Sequence, residues 1–166
     1  MNESANDIIN PSLVLAISRM VENNTMENQH KMVMEAMKAK FILPCKMFLK
    51  PGTEDEVHRH TGNTYPRFDL IKLENEETYF PAFTDTAELI RWKNVPNQDM
   101  MVIEFEDLAG LVLHAQDKVS GFIINPSTSH VFFKKEIIAM ILKSMEEGRN
   151  PEKSQAPEDT QDTGEA

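Results

Sequence analysis

The chain of 166 residues holds one cysteine, Cys45, one tryptophan, Trp92, two tyrosines and six scattered glycines. A single cysteine forms no internal disulfide, so the usual signature of an oxidising compartment is missing. The glycines do not gather into a phosphate-cradling loop. No G-x-G-x-x-G, G-x-x-x-x-G-K-S/T, H-E-x-x-H, G-x-S-x-G or C-x-x-C run occurs. No catalytic residue and no cofactor is therefore read from motifs. Apolar runs are far shorter than a bilayer span, and the opening MNESANDIINPSLVLAISRM lacks the basic and apolar regions of a secretory signal. A cytoplasmic location is the expectation. Bases are also scarce: 17 Lys and Arg stand against 27 acids, a formal net charge of -10. Such a chain repels phosphate backbones and anionic lipid, which argues against nucleic-acid and membrane partners.

Hydrophobic residues at 40% and charged residues at 27% are ordinary for a folded globule. The length suits one domain that needs neither metal nor disulfide to fold. Residues 1–10 are polar and read as a flexible N-terminus. Beyond Pro11, which suits a first helical turn, Leu13, Val14, Ala16, Ile17, Met20 and Val21 recur at helical spacing. Asn23-Asn24-Thr25 breaks that helix. Thr25 then caps a second one, with Asn28 where Glu is ideal and Val33, Met34, Met37 and Phe41 as its apolar stripe. The two helices predict a hairpin.

Phe41 to Phe48 reads as a strand that Pro44 interrupts or confines to an edge. Residues 50–64 carry no periodic pattern and read as a loop. Apolar runs on either side of Glu74-Asn75-Glu76-Glu77, from Arg67 and from Thr78, predict a β-hairpin. Thr84-Asp85 is suited to cap a short helix through Trp92. A strand over 100–105 leads into a helix with Leu108, Leu111, Val112 and Ala115 on one face. Phe122 to Ile124 predicts a short buried strand, Asn125-Pro126-Ser127 a turn, and His130 to Phe133 a last strand. A closing helix over 134–147 presents Ile137, Ile138, Ile141, Leu142 and Met145, and Gly148 is expected to stop it. Residues 148–166 contain no large apolar side chain and read as a disordered acidic tail.

Three blocks carry a resemblance. Tyr79-Phe80-Pro81-Ala82-Phe83-Thr84-Asp85, followed by Glu88-Leu89 and Trp92, resembles a Y-x-P-x-F-T-x-x-x-E-L-x-x-W segment of the SseB N-terminal domain family, bacterial proteins named for enhanced serine sensitivity. Met101 to Leu108 resembles that family's strand-then-helix, and Gly121-Phe122-Ile123-Ile124-Asn125-Pro126 its G-x-x-I-N-P turn. The blocks agree in order and spacing, and the likeness covers about residues 25–142. It implies an α+β domain, here 11–147, with a mixed, largely antiparallel sheet, an N-terminal helical hairpin and flanking helices. It implies no active site. Members often add a second, C-terminal domain, whereas the composition after Gly148 here is that of a tail.

Candidate chemistry rests on a few residues. His58 and His60, two apart beside Glu54 and Asp55, face one side of an extended segment and are the candidate metal ligands; the plain alternative is a solvated loop. Cys45 sits in an apolar strand, which suits an inert thiol. His114 complements a helix C-terminus. His130 follows Ser127-Thr128-Ser129 without an accompanying acid. Glu104, Glu106 and Asp107 fall where a strand meets a helix N-terminus, where acids favour the dipole. Met32 lies off the expected buried stripe of the second helix and is a candidate partner contact. Trp92 is either core or a partner anchor. The reading that follows is a non-catalytic protein-interaction or regulatory module, with homo-oligomerisation open. The alternative is a small-molecule or metal-binding protein or enzyme, with His114, His130 and Glu104 converging in a pocket.

Overall fold

A computed structural model describes residues 4–50 and 64–150. Its elements in chain order are α1 (Pro11–Glu22), α2 (Met26–Ala36), β1 (Lys40–Leu49), β2 (Thr64–Phe68), β3 (Ile71–Lys72), β4 (Thr78–Ala82), α3 (Thr86–Trp92), β5 (Asp99–Glu104), α4 (Phe105–His114), β6 (Gly121–Ile124), β7 (Val131–Lys134) and α5 (Lys135–Arg149). The fold is α+β. The strands form two sheets rather than one, ordered β2-β1-β5 and β3-β4-β6-β7. Every pairing is antiparallel except β4 with β6, which run parallel with Tyr79 opposite Gly121 and Ala82 opposite Ile124. Among the described residues one bridge joins the sheets: the Ile42 and Phe83 backbones exchange hydrogen bonds of 2.9 and 3.0 Å.

The N-terminal segment is better anchored than its polarity suggests. Ile8 is buried with Ile42, Phe83 and Leu89. Asn10 precedes Pro11 as an N-cap would, yet its side chain makes no cap bond. Its Nδ2 instead donates to the Lys40 and Thr84 carbonyls, 2.8 Å each. Residues 8–10 are thus part of the fold, correcting the flexible reading of 1–10 there. Thr25 caps α2 as expected, its Oγ1 accepting the Asn28 N–H at 3.2 Å. Asn28 donates back to the Asn23 and Arg19 carbonyls at the end of α1, at 2.8 and 3.3 Å, as a second donor beside the Thr25 and Asn23 N–H groups.

The stripe of α2 is rotated from its expected phase. Met32 is 6% exposed and lies in the main core with Ala36, whereas Met34 is 40% exposed. At 3.6 residues per turn, Met34 stands about 200° around the helix from Met32, so only one of them can face the core. Met32 therefore packs in the main core, not on the exposed face of α2.

Pro44 sits inside a strand paired on both sides, not at a sheet edge. Ile42 bonds across to Phe83, and the Pro44 carbonyl accepts the Asp69 N–H at 3.0 Å on the same side. Backbone groups two residues apart point the same way. The missing N–H of Pro44 therefore faces the Asp69 carbonyl just past the end of β2, so the proline forgoes one bond where the β1–β2 ladder stops. The residues from Arg67 onward divide between the sheets: Phe68 pairs with Cys45 in one, and only Ile71 and Lys72 pair with β4 in the other.

The main core draws on both sheets, with Phe41, Leu43 and Ile103 from the first and Phe80, Phe122 and Phe133 from the second, and on α1, α2, α4 and α5. Phe122 and Phe133 stack with centroids 4.9 Å apart, and Phe105 meets both edge-on at 5.9 and 5.8 Å. In α5 Ile138 is fully buried, while Ile137 and Met140 are exposed. The helix passes through Gly148 and ends at Arg149, which pairs with Glu106 of α4. Its stop is Asn150, the residue before Pro151, where a helical backbone is disfavoured. The tail from 151 and the histidine loop over 51–63 lie outside the described residues.

The Tyr79 ring is buried against Phe132, and its hydroxyl donates to Glu77 at 2.7 Å. Burial, reinforced by the Glu77 carboxylate, pushes the phenol from 10.0 up to about 12. A raised pKa in the fold means stability intact below pH 10 and lost as pH climbs from 10 towards 12. Denaturation of wild type and Tyr79→Phe across that range is expected to show a loss of about 1–2 kcal/mol that the variant lacks.

Candidate functional site

Because β4 and β6 are parallel neighbours, their carboxyl ends open on one side and the turns that follow start next to each other. Ligands favour this location in parallel sheets. The first turn carries Thr84 and Asp85, the second Asn125 and Pro126. Thr84 and Asn125 are the buried polar residues among those described, 0% and 5% exposed. They bond reciprocally: the Thr84 N–H donates to Asn125 Oδ1 at 3.1 Å, and Asn125 Nδ2 donates to Thr84 Oγ1 at 2.9 Å. Thr84 Oγ1 donates to Asp85 Oδ2 at 3.0 Å, and the Thr84 carbonyl accepts the bond from Asn10. Every polar group of Thr84 is thus satisfied, which is what its burial demands.

Asn125 has a φ of 48°, a left-handed conformation that asparagine tolerates better than most residues. That conformation curls the chain so that the Asn125 carbonyl accepts the Thr128 and His130 N–H groups at 3.1 and 3.2 Å. Asp85 caps α3 by accepting the Glu88 N–H at 3.0 Å. Glu88 in turn accepts from Thr128 Oγ1 at 2.7 Å and pairs with Arg91 at 2.5 Å, which ties α3 to the second turn.

A groove of about 410 Å³ runs between these turns and α1. Val14, Ile17 and Val21 form its apolar side, with Val14 and Val21 exposed. Glu22, Asp85 and Glu88 are its charged residues, and no Lys, Arg or His is among the described residues that line it. Past Val21 and Ser129, which line both spaces, it continues as a second groove of about 450 Å³ between the α1–α2 turn and β7, where Phe132 and Ile137 are exposed. Ser129 Oγ is enclosed and has no hydrogen-bond partner.

Two of the three sequence blocks therefore meet at one place. A model of the SseB protein N-terminal domain matches residues 13–140. The chain belongs to that family. No curated protein and no solved structure matches it. In this SseB N-terminal domain the motif positions are accounted for by packing and by the Thr84–Asn125 pair. Trp92 lies against Phe83 at 5.5 Å with Lys93 Nζ over its ring, and it closes the small core around Ile42 and Leu89. It is partly buried there and does not line the groove.

The other sequence candidates scatter across the SseB domain. Glu104 and His114 sit at opposite ends of α4, about 15 Å apart at 1.5 Å per residue, so the proposed convergence with His130 does not occur. His130 is exposed, with Nδ1 3.2 Å from the Thr128 carbonyl. Cys45 is buried, and burial, with Asp99 and Asp69 nearby, raises its thiol above the usual value, away from the reactive thiolate. Glu106 and Asp107 occupy the first turn of α4. Among the described residues no three potential metal ligands cluster, and no helix is long and apolar enough to cross a membrane. His58 and His60 fall outside the described residues. The groove is not visible in the sequence because its walls come from three separate segments, within residues 14–22, 84–88 and 125–129. A usable signal was the pair of polar residues, Thr84 and Asn125, each placed directly after an apolar strand.

Proposed function

We propose that this chain is a non-catalytic protein-interaction module that receives a partner protein in the groove between α1 and the turns after β4 and β6. The observation that carries the reading is the exposed apolar edge of α1, Val14 and Val21, facing walls whose main polar groups are already bonded to one another. Such a surface offers burial and shape rather than an available acid, base or nucleophile. The carboxylates lining it disfavour a phosphate backbone as the partner. In this reading the module works in the cytoplasm, where its one thiol stays reduced. The test is a quantitative pull-down with wild type and a Val14→Ser, Val21→Ser double variant. A stoichiometric partner retained by wild type and lost by the variant supports the reading. Equal retention removes the groove from it. Because both valines are exposed, the variant is expected to unfold within about 0.5 kcal/mol of wild type.

One observation favours a second reading, in which the groove holds a small molecule. Ser129 Oγ is enclosed without a partner at the carboxyl ends of parallel strands, a place where a ligand would satisfy it. A metabolite screen by thermal shift decides it: a ligand whose stabilisation Ser129→Ala abolishes favours this reading over the first.

A further inference from the structure

We infer that the partner segment bound in this groove is cationic and amphipathic, carrying lysine or arginine side chains interleaved with aliphatic ones. The inference rests on the groove being a protein-binding surface and adds the chemistry of its occupant. The groove is two-sided. One side is aliphatic, with Val14, Ile17 and Val21 at successive turns of α1. Spacing of three and four residues puts these on one line along the helix. The other side and one end are acidic, with Asp85 and Glu88 across the groove and Glu22 one position beyond Val21. Arg91, the base paired with Glu88, is not among the lining residues.

A lysine or arginine side chain matches both surfaces at once. Its methylene stem covers apolar area while its head stays with carboxylate and water. A neutral aliphatic segment would fill the apolar side and bring Glu22, Asp85 and Glu88 no countercharge beyond Arg91. An acidic one would be repelled. The whole-chain charge of -10 acts in the same direction at longer range, steering a basic partner inward and slowing an acidic one. The continuation past Val21 towards Phe132 and Ile137 is lined by His130 but by no carboxylate. The occupant's basic residues therefore lie in the first groove, between Asp85 and Glu22, and its bulkier apolar residues extend past Val21 to Phe132.

The test measures fluorescence anisotropy of three labelled peptides of equal length and equal leucine content. The remaining positions are lysine in one, serine in the second and glutamate in the third. Each is titrated with the full-length wild type, with a Glu22→Gln, Glu88→Gln double variant, and with the Val14→Ser, Val21→Ser variant. The amide oxygen that Glu88→Gln leaves still accepts a bond from Thr128, so the wall is kept. The expected result is binding of the lysine peptide, weakened about five- to tenfold by the glutamine variant and by a comparable factor when salt rises from about 0.05 to about 0.5 M. The serine peptide is expected to bind at least about fivefold more weakly than the lysine peptide and to ignore the glutamine substitutions. Serine and lysine peptides of equal affinity, both lost in the valine variant, would overturn the charge inference and leave the groove reading standing. Binding of the lysine peptide that neither variant weakens would place it elsewhere and overturn the inference. No binding by any peptide, together with self-association that the valine variant abolishes, would overturn it in favour of a second copy of the chain.

Discussion

Asn125→Ala is expected to lower stability by about 3–5 kcal/mol, measured by urea denaturation. Three costs combine. The Thr84 N–H and Oγ1 are buried, and each loses its Asn125 partner. An orphaned buried polar group costs about 1–3 kcal/mol. Alanine must also hold the φ of 48°, which costs about 1–2 kcal/mol. Asn125→Gly separates the terms, because glycine accepts that backbone while still removing the amide. The glycine variant should recover about 1 kcal/mol of the loss and no more. Full recovery would mean that the backbone, not the buried pair, is what the asparagine supplies.

Gly121→Ala is expected to be the second severe substitution. Gly121 starts β6 between the parallel β4 and the antiparallel β7. A Cβ there would meet the Phe133 carbonyl oxygen at 2.0 Å, backbone against backbone. No side-chain rotation relieves that contact, so β7 must move, and Phe133 with it, out of the stack on Phe122. A loss of about 3 kcal/mol or more is expected by thermal or chemical denaturation. Gly110 supplies the contrast. It lies within α4, and a methyl group added to it would meet nothing within 4 Å. Gly110→Ala should therefore raise stability by about 0.5–1 kcal/mol. If both alanine variants behave alike, β6 and β7 do not approach so closely.

Much of the local structure was legible because it is written in neighbours. Thr25 and Asp85 cap the helices predicted for them, and Asn28 and Glu88 stand three residues on as capping chemistry requires. The three blocks that suggested the family match lie within the residues that its model covers. What local pattern misread was phase and partner. Met32 and Met34 are both apolar, and only the position of α1 decides which one is inside. Asn10 looks like a cap and is spent on two carbonyls thirty and seventy-four residues away. Pro44 marks an edge in a strand read alone, yet here the strand changes partners at that point. The groove is the extreme case, since Val21 and Ser129 become neighbours only when α1 is laid across the ends of β4 and β6.

Asn10 has one more effect. It stands at the start of α1, which forms one side of the groove, and its amide grips Thr84, which belongs to the other. A single planar side chain thereby acts as a spacer bar between the two banks. The gap is held at one width before anything enters it, so a visitor meets a preset slot and little ordering has to accompany its arrival. A mouth of this kind selects by thickness before charge comes into play.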